Sequence, residues 1–172
     1  MTYTPLAKTT INSATASSVV FSSISAAYTD LIIVISGKNT ATGYGWGLQY
    51  NSDTAANYSW TMLEGSGSAV TSSRGGASGL TGQSIYFAYN QGISDLLSYA
   101  TVSIQNYSNT TTNKSALIRQ NNPSSTTFPG LSAVVGMWRN TAAINSITLM
   151  VPGAGTTIAS GTTLTLYGIL AA

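Results

Sequence analysis

The chain has 172 residues, of which 43% are hydrophobic and 6% are charged, and its formal net charge is +2. This length fits one domain with a sizeable core, but the charged fraction lies far below the roughly 25% of an ordinary globular domain. The chain has no cationic cluster for binding nucleic-acid phosphates. It also lacks histidine and cysteine, the residues behind most general-base, metal-ligand and thiolate chemistry. We therefore expect no nucleic-acid partner, no cofactor and no metal site.

Nothing in the sequence predicts export or membrane insertion. The start, Met1–Lys8, lacks a charged stretch followed by an apolar core, so we expect no signal peptide. The longest apolar run, Leu31–Ile35, is much shorter than the ~18 residues of a membrane-spanning helix. We therefore expect synthesis in the cytoplasm and no membrane partner.

Along the chain, short apolar segments alternate with turn-forming residues. Residues 1–17, rich in Thr and Ser, are expected to form an extended N-terminal segment that could serve as an anchor. Residues 18–172 are expected to form a single domain, because about ten strand-like segments recur at short intervals. These segments are Ser18–Ser22, Asp30–Gly37, Trp46–Asn51, Ser59–Leu63, Ser84–Tyr89, Tyr99–Asn106, Lys114–Gln120, Ala133–Arg139, Ile144–Val151 and Thr162–Ile169.

Several segments depart from simple alternation of apolar and polar residues. Leu31–Ile35 is apolar throughout, so we expect the opposite sheet to cover one face and a crossing loop or a neighbouring subunit to cover the other. Ser84–Tyr89 and Ala133–Trp138 have the same character. Gly65–Gly82 predicts a long surface loop, and Gly92–Tyr99 predicts a single helical turn.

The C-terminal segments Ile144–Val151 and Thr162–Ile169 flank the Gly-rich stretch Pro152–Gly161. The second segment alternates apolar and hydroxyl side chains, which is typical of a half-buried strand. Together they predict a β-hairpin. Short strands throughout, with no long helix, predict an all-β fold, and the chain length favours a two-sheet, jelly-roll-like β-sandwich.

Aromatic side chains are the remaining functional candidates. Tyr44, Trp46, Tyr50, Tyr58 and Trp60 fall within one predicted hairpin. Rings beside Asn, Asp and Gln are typical of a sugar-binding face, and the same residues are enriched at protein interfaces. They could equally fill the core of the sandwich. Core, interface and glycan contact all remain open for these five residues.

Carboxylates are too few and too scattered to predict catalysis. The chain has Asp30, Asp53, Glu64 and Asp95, and only Asp53 and Glu64 flank one predicted strand. Glycoside hydrolysis requires two carboxylates that face one bond. Asp53 also lies in Asn-Ser-Asp-Thr, a pattern typical of a turn. We therefore expect a protein that is not an enzyme.

Segments in a fixed order resemble a family of small virion proteins from tailed bacteriophages, common in cyanobacterial phages and prophages. The resemblance lies in the opening Val20–Ile35 with Phe-Ser-Ser-Ile and Tyr-Thr-Asp-Leu, and in Leu48–Ser59 with its Asn-Tyr-Ser ending. It continues in Ile104–Lys114, in Gly136–Leu149 and in the closing Tyr-Gly-Ile that ends at Ile169. The ordered set is more specific than any one segment.

The resemblance implies a β-sandwich and a structural role in the virion, assembled in the host cytoplasm. Members of the family are described as capsid decoration (cement) proteins, head fibres, or tail-fibre and tail-tip domains. Decoration is the favoured expectation, with the major capsid protein and further copies of the chain, for instance in a homotrimer, as partners. The alternative is a tail-tip module that binds host surface glycans. In the decoration role, residues 1–17 could be an extended anchor that lies on a capsid protein.

Two further features bear on the resemblance. At Tyr50–Asp53 the family has Gly where this chain has Ser52, so the type of the turn could differ.

The low charge provides weak repulsion between molecules, and it allows symmetric copies to pack without burying unpaired charges. Both observations about charge favour a protein that is buried in an assembly.

Overall fold

The computed structural model describes residues 2–41, 45–76, 82–87, 97–122, 129–153 and 155–170, where twelve strands form two antiparallel sheets. In pairing order, the large sheet consists of β1 (Thr2–Thr10), β12 (Thr163–Leu170), β3 (Asp30–Gly37), β8 (Ser98–Gln105), β9 (Lys114–Asn122), β10 (Gly130–Trp138), β5 (Tyr58–Gly65) and β6 (Val70–Gly76). The small sheet consists of β2 (Ser18–Phe21), β11 (Ile147–Met150), β4 (Trp46–Tyr50) and β7 (Ile85–Phe87). The predicted two-sheet β-sandwich is confirmed.

Eight of the strands wind as a jelly roll. The large sheet contains the order β1-β12-β3-β8, and the small sheet has the order β2-β11-β4-β7. From β1 to β4 the chain alternates between the sheets, and β11 and β12 return to lie between β2 and β4 and between β1 and β3. The other four strands, β9, β10, β5 and β6, extend the large sheet beyond this framework.

The core lies between the sheets and follows the two-residue period of the strands. On β3, Leu31, Ile33 and Ile35 are buried, whereas Val34 is 39% exposed. Val34 lies on the outer face, where the cover expected from a crossing loop or a neighbouring subunit stays a prediction. Its neighbours across the outer face, Thr101 and Thr165, are polar, and a solvated face tolerates one aliphatic side chain among them.

The last two strands do not form a hairpin, contrary to the sequence-based prediction. β11 pairs with β2 and β4 in the small sheet, whereas β12 pairs with β1 and β3 in the large sheet. The segment between them therefore crosses from one sheet to the other. Each strand is buried on one side, as the apolar positions of Ile147, Leu149, Leu164 and Leu166 predicted.

Two strands were not predicted. β1 pairs along β12, with a shift in register between Pro5 and Ala7; its anchoring role on a capsid protein stays a prediction. β6 pairs with β5 within Gly65–Gly82, so the prediction of a loop is wrong for Val70–Gly76. Most of the helical turn predicted at Gly92–Tyr99 lies outside the described residues, and its last two residues begin β8.

Candidate interaction surface

The predicted aromatic site residues lie mostly inside the sandwich. Trp46, Tyr50 and Tyr58 are at most 3% exposed, so of the three roles left open for them the structure supports a place in the core. The reason is topological, because β4 belongs to the small sheet and β5 to the large sheet. Tyr50 and Tyr58 therefore face each other across the core and pack on Trp138, with ring centroids 5.6 and 6.2 Å from its ring.

Trp60 is only partly buried and lies apart from this cluster. Its ring centroid is 5.6 Å from that of Tyr86, and its six-membered ring covers Gly75 on β6. Any side chain at Gly75 would collide with that ring. Tyr44, the fifth predicted residue, lies outside the described residues.

Asp53 has a structural role next to the aromatic cluster. Its Oδ2 accepts hydrogen bonds from Trp138 Nε1 at 2.7 Å and Asn57 Nδ2 at 2.8 Å, and its Oδ1 accepts one from the Ala55 amide at 2.9 Å. Partial burial acts to raise the pKa of Asp53, but the three hydrogen bonds outweigh it and hold the pKa below the usual 3.8. The carboxylate is thus engaged by the fold.

The turn at Tyr50–Asp53 places Ser52 in a conformation that favours glycine. The Asp53 amide donates to the Tyr50 carbonyl at 2.9 Å, and both central residues have positive φ, 51° for Asn51 and 56° for Ser52. Two positive φ values are characteristic of a type I′ turn, in which Gly is favoured. Ser52 therefore adopts a conformation that Gly would adopt with less strain.

The most prominent exposed surface is the outer face of the four strands that extend the jelly roll. Six aliphatic side chains on β5, β6, β9 and β10, which we call the outer patch, are between 41% and 77% exposed. A contiguous exposed apolar area of this kind is typical of an interaction site. The outer patch consists of Leu63, Val70, Leu117, Leu131, Val135 and Met137.

Strand register joins the outer patch into one surface. Val135 on β10 lies directly opposite Leu117 on β9 and Thr61 on β5. One pair of residues further along, Ala133 lies between Arg119 and Leu63. Directly paired side chains on one face are in contact distance of one another.

All three arginines of the chain lie on this same face. Arg119 is on β9, Arg74 is on β6 opposite Thr61, and Arg139 follows β10. Arg139 is held in place, because it donates to Ser59 Oγ at 2.9 Å and to two backbone carbonyls of β5 and its preceding loop. No Asp or Glu is found among the outward-facing described residues of β9, β10, β5 and β6.

A concavity of about 420 Å³ lies where the edges of the two sheets meet at β1 and β2. Leu6, Phe21 and Ile24 contribute apolar walls, and the exposed Val20 is at its rim. This edge groove is on the opposite end of the large sheet from the outer patch.

Sequence reasoning missed the outer patch, although one signal was present. Ala133–Trp138 has apolar residues at successive positions, a pattern that predicts cover on both faces. The inner side packs on the small sheet, where Gly136 faces Ile85. The outer side, with Val135 and Met137, is open within the described part of the chain. Cover of this side by a loop or by a neighbouring molecule stays a prediction.

Comparison with known proteins found no matching family model, no matching curated protein and no matching solved structure. Across the described residues, no helix is long and apolar enough to span a membrane. The same residues contain no group of three or more acidic side chains close enough to hold a metal ion.

Proposed function

We propose that the protein is a structural module that attaches to a larger assembly through its outer patch, and that this assembly is the virion of a tailed bacteriophage. The observation that carries the proposal is the exposed aliphatic surface on the four strands added to the jelly roll. Functional sites are commonly built on additions to a shared framework. The virion itself is supported by the ordered resemblance of Val20–Ile35 and the later segments to phage structural proteins.

Decoration of the head is the role within the virion that we propose. A decoration protein requires a rigid compact module with one face that recognises the capsid. The outer patch supplies such a face, because covering Leu117, Val135 and their neighbours removes aliphatic surface from water. The tail-tip alternative depended on an aromatic surface, and Trp46, Tyr50 and Tyr58 are inside the core.

The proposal assigns no catalytic step to the protein. Asp53, the carboxylate considered for glycoside hydrolysis, accepts three hydrogen bonds within its own turn and from Trp138. Its lowered pKa is opposite to that of a general acid, whose pKa is raised so that it holds a proton near neutral pH.

Self-association is proposed to use another surface than the outer patch. Two copies placed face to face would bring the arginines of both patches together without a carboxylate from either face. Like charges that face each other oppose association. We place contacts between copies, in a trimer or another homo-oligomer, at the edge groove beside Val20.

The test is binding to expanded heads of the phage that encodes the protein, measured by co-sedimentation. We expect the wild-type protein to sediment with the heads and to raise the temperature at which they disrupt. The double variant Leu117→Ser and Val135→Ser should lose binding while its own melting temperature stays within a few degrees, because both side chains are about half exposed. Thr165→Ser, on the outer face of β12, is the control that keeps binding. Failure of the wild-type protein to bind heads, or unchanged binding of the double variant, would contradict the proposal.

A further inference from the structure

A trough of about 580 Å³ crosses the outer face above β5. The short side chains of Ser59 and Thr61 lie at its floor, Val135 and Met137 of β10 form one wall, and Arg74 of β6 forms the other. The trough thus places two apolar side chains opposite one guanidinium group, with two hydroxyl groups between them.

The fold itself keeps this trough open. Gly76 lies opposite Ser59 and has a φ of +106°, a conformation that L side chains rarely adopt. A Cβ atom at this position would collide with the backbone of β5 at Ser59 and Tyr58. Gly76 therefore lets β6 lie close to β5 without a side chain that would fill the trough.

Two of the arginines on this face are available to a ligand. Arg74 and Arg119 are exposed, and within the described part of the chain neither guanidinium donates a hydrogen bond. Their backbone positions are roughly 15 Å apart, since three strand spacings and about two residues separate them. A free guanidinium presents a fork of donors that matches a carboxylate, and such charge-assisted pairs are stronger than neutral ones.

We propose that the trough and the outer patch bind an acidic segment of a partner protein. Carboxylates of the segment pair with Arg74 and Arg119, and aliphatic side chains between them cover Val135 and Leu117. The inference rests on the proposed function, because it names the chemistry of the partner to which the module attaches.

A second copy of the chain is a poor occupant because its described residues include only three carboxylates. Asp53 is engaged by Trp138, Asn57 and the Ala55 amide, and Asp30 accepts a hydrogen bond from the Asn106 amide at 2.8 Å. Glu64 follows the buried Met62 on the inner side of β5. An acidic partner of different sequence supplies what the chain lacks.

Nucleic acid fits the surface less well than an acidic protein segment. The outward-facing side chains of β5 and β10 between Arg74 and Arg119 are aliphatic or carry hydroxyl groups, whereas single strands stack their bases on aromatic rings. A duplex is held by many phosphate contacts along a cationic track. Two guanidinium groups with Leu and Val between them can instead bind a peptide segment in which carboxylates are interspersed with apolar residues.

The direct test is binding of a fluorescein-labelled peptide to the full chain, followed by fluorescence anisotropy. The probe carries glutamates four residues apart with Val and Thr between them, which places carboxylates about 13 Å apart on one side of an extended chain. We expect Arg74→Gln and Arg119→Gln each to weaken binding about tenfold or more. Lys8→Gln removes another exposed cation, from β1 at the far edge of the same sheet, and should change affinity less than twofold.

Three results would overturn the inference: no binding of the probe, equal binding of a peptide with Gln in place of Glu, or equal loss in Lys8→Gln. Tighter binding of a single-stranded oligonucleotide, unaffected by Val135→Ser, would assign the surface to nucleic acid instead. Binding to phage heads separates this inference from the proposed function. If wild type and Arg74→Gln/Arg119→Gln bind heads equally, the acidic partner is wrong and the attachment role stands; if wild type fails to bind, the attachment role itself is wrong.

Discussion

Trp138 donates its indole Nε1–H to the Oδ2 atom of Asp53 at 2.7 Å, across 85 residues of sequence. Trp138 ends β10 of the large sheet, and Asp53 lies in the turn after β4 of the small sheet. The hydrogen bond therefore ties the two sheets together at the point where Tyr50 and Tyr58 pack on the same indole ring.

Removal of the Asp53 carboxylate should destabilise the fold. In Asp53→Ala the buried indole N–H of Trp138 loses its acceptor, which we expect to cost about 2 kcal/mol in the free energy of unfolding. Chemical denaturation followed by tryptophan fluorescence measures it. Asp30→Ala is the control, because Asp30 accepts one hydrogen bond at an exposed site and should cost less than half as much.

The same carboxylate makes stability depend on acid pH. The folded pKa of Asp53 is below its usual 3.8, so the unfolded chain takes up the proton first as the pH falls. The stabilisation is thus fully present above about pH 5 and is lost as the pH falls through the folded pKa. We expect the free energy of unfolding to fall between pH 5 and 2 more steeply in wild type than in Asp53→Asn. Parallel curves would contradict this role.

The two buried tyrosines should respond in opposite ways to loss of the hydroxyl. Tyr58 Oη accepts a hydrogen bond from the backbone amide of Tyr50 at 2.9 Å. Tyr58→Phe leaves that amide without its acceptor and should lower the free energy of unfolding by about 1–2 kcal/mol. Tyr50 Oη is buried and has no hydrogen-bond partner among the described residues. Tyr50→Phe should therefore be neutral or stabilising by up to about 1 kcal/mol. Burial raises the pKa of both phenols, which keeps them neutral in the comparison.

Replacement of Ser52 should stabilise the turn after β4. Ser52 has a φ of 56°, and a left-handed conformation costs a non-glycine residue about 1 kcal/mol. We expect Ser52→Gly to raise the free energy of unfolding by a similar amount. Thr54→Gly, two residues away without a positive φ, serves as the control and should lower it by about 0.5–1 kcal/mol.

Close approach of the two sheets should make Gly136 intolerant of a methyl group. A Cβ atom there would lie 2.7 Å from Ile85 Cδ1 on β7. Gly136→Ala should cost about 1–3 kcal/mol, because the side chain must force the sheets apart. At Gly65 the nearest heavy atom would be 3.7 Å away, an ordinary contact, so Gly65→Ala should lie within about 0.5 kcal/mol of wild type. Equal melting temperatures for the two variants would rule out this packing constraint.

The spacing of apolar residues and the positions of turn-forming residues were enough to predict ten of the twelve strands. The two strands that escaped prediction carry little apolar pattern. β6 is exposed along most of its length, with Ser and Arg at its centre, and β1 contains Pro5. These strands exist because their backbones pair with β5 and β12, and pairing to a distant edge leaves little trace in local composition.

Local sequence pattern was not enough to predict where the aromatic residues of the candidate site lie in the fold. Trp46, Tyr50, Tyr58 and Trp60 fit a core, an interface or a glycan face equally well as a local pattern. Their placement depended on β4 and β5 lying in opposite sheets, a long-range property of the topology. For segments such as Ala133–Trp138, the sequence also predicted that a neighbouring molecule or a loop covers the second face. It did not indicate which of the two faces of the strand that is.

Composition and periodicity by themselves determined an all-β protein with one core, because alternation of side chains along a strand is a local property. The tertiary structure alone decided which residues meet. Register across β9, β10 and β5 brings Leu117, Val135 and Thr61 into one row, and pairing of β5 with β6 adds Arg74 beside them. A surface made of side chains from four strands arises only when the backbones pair, since neighbours in that row are separated by many residues in the chain.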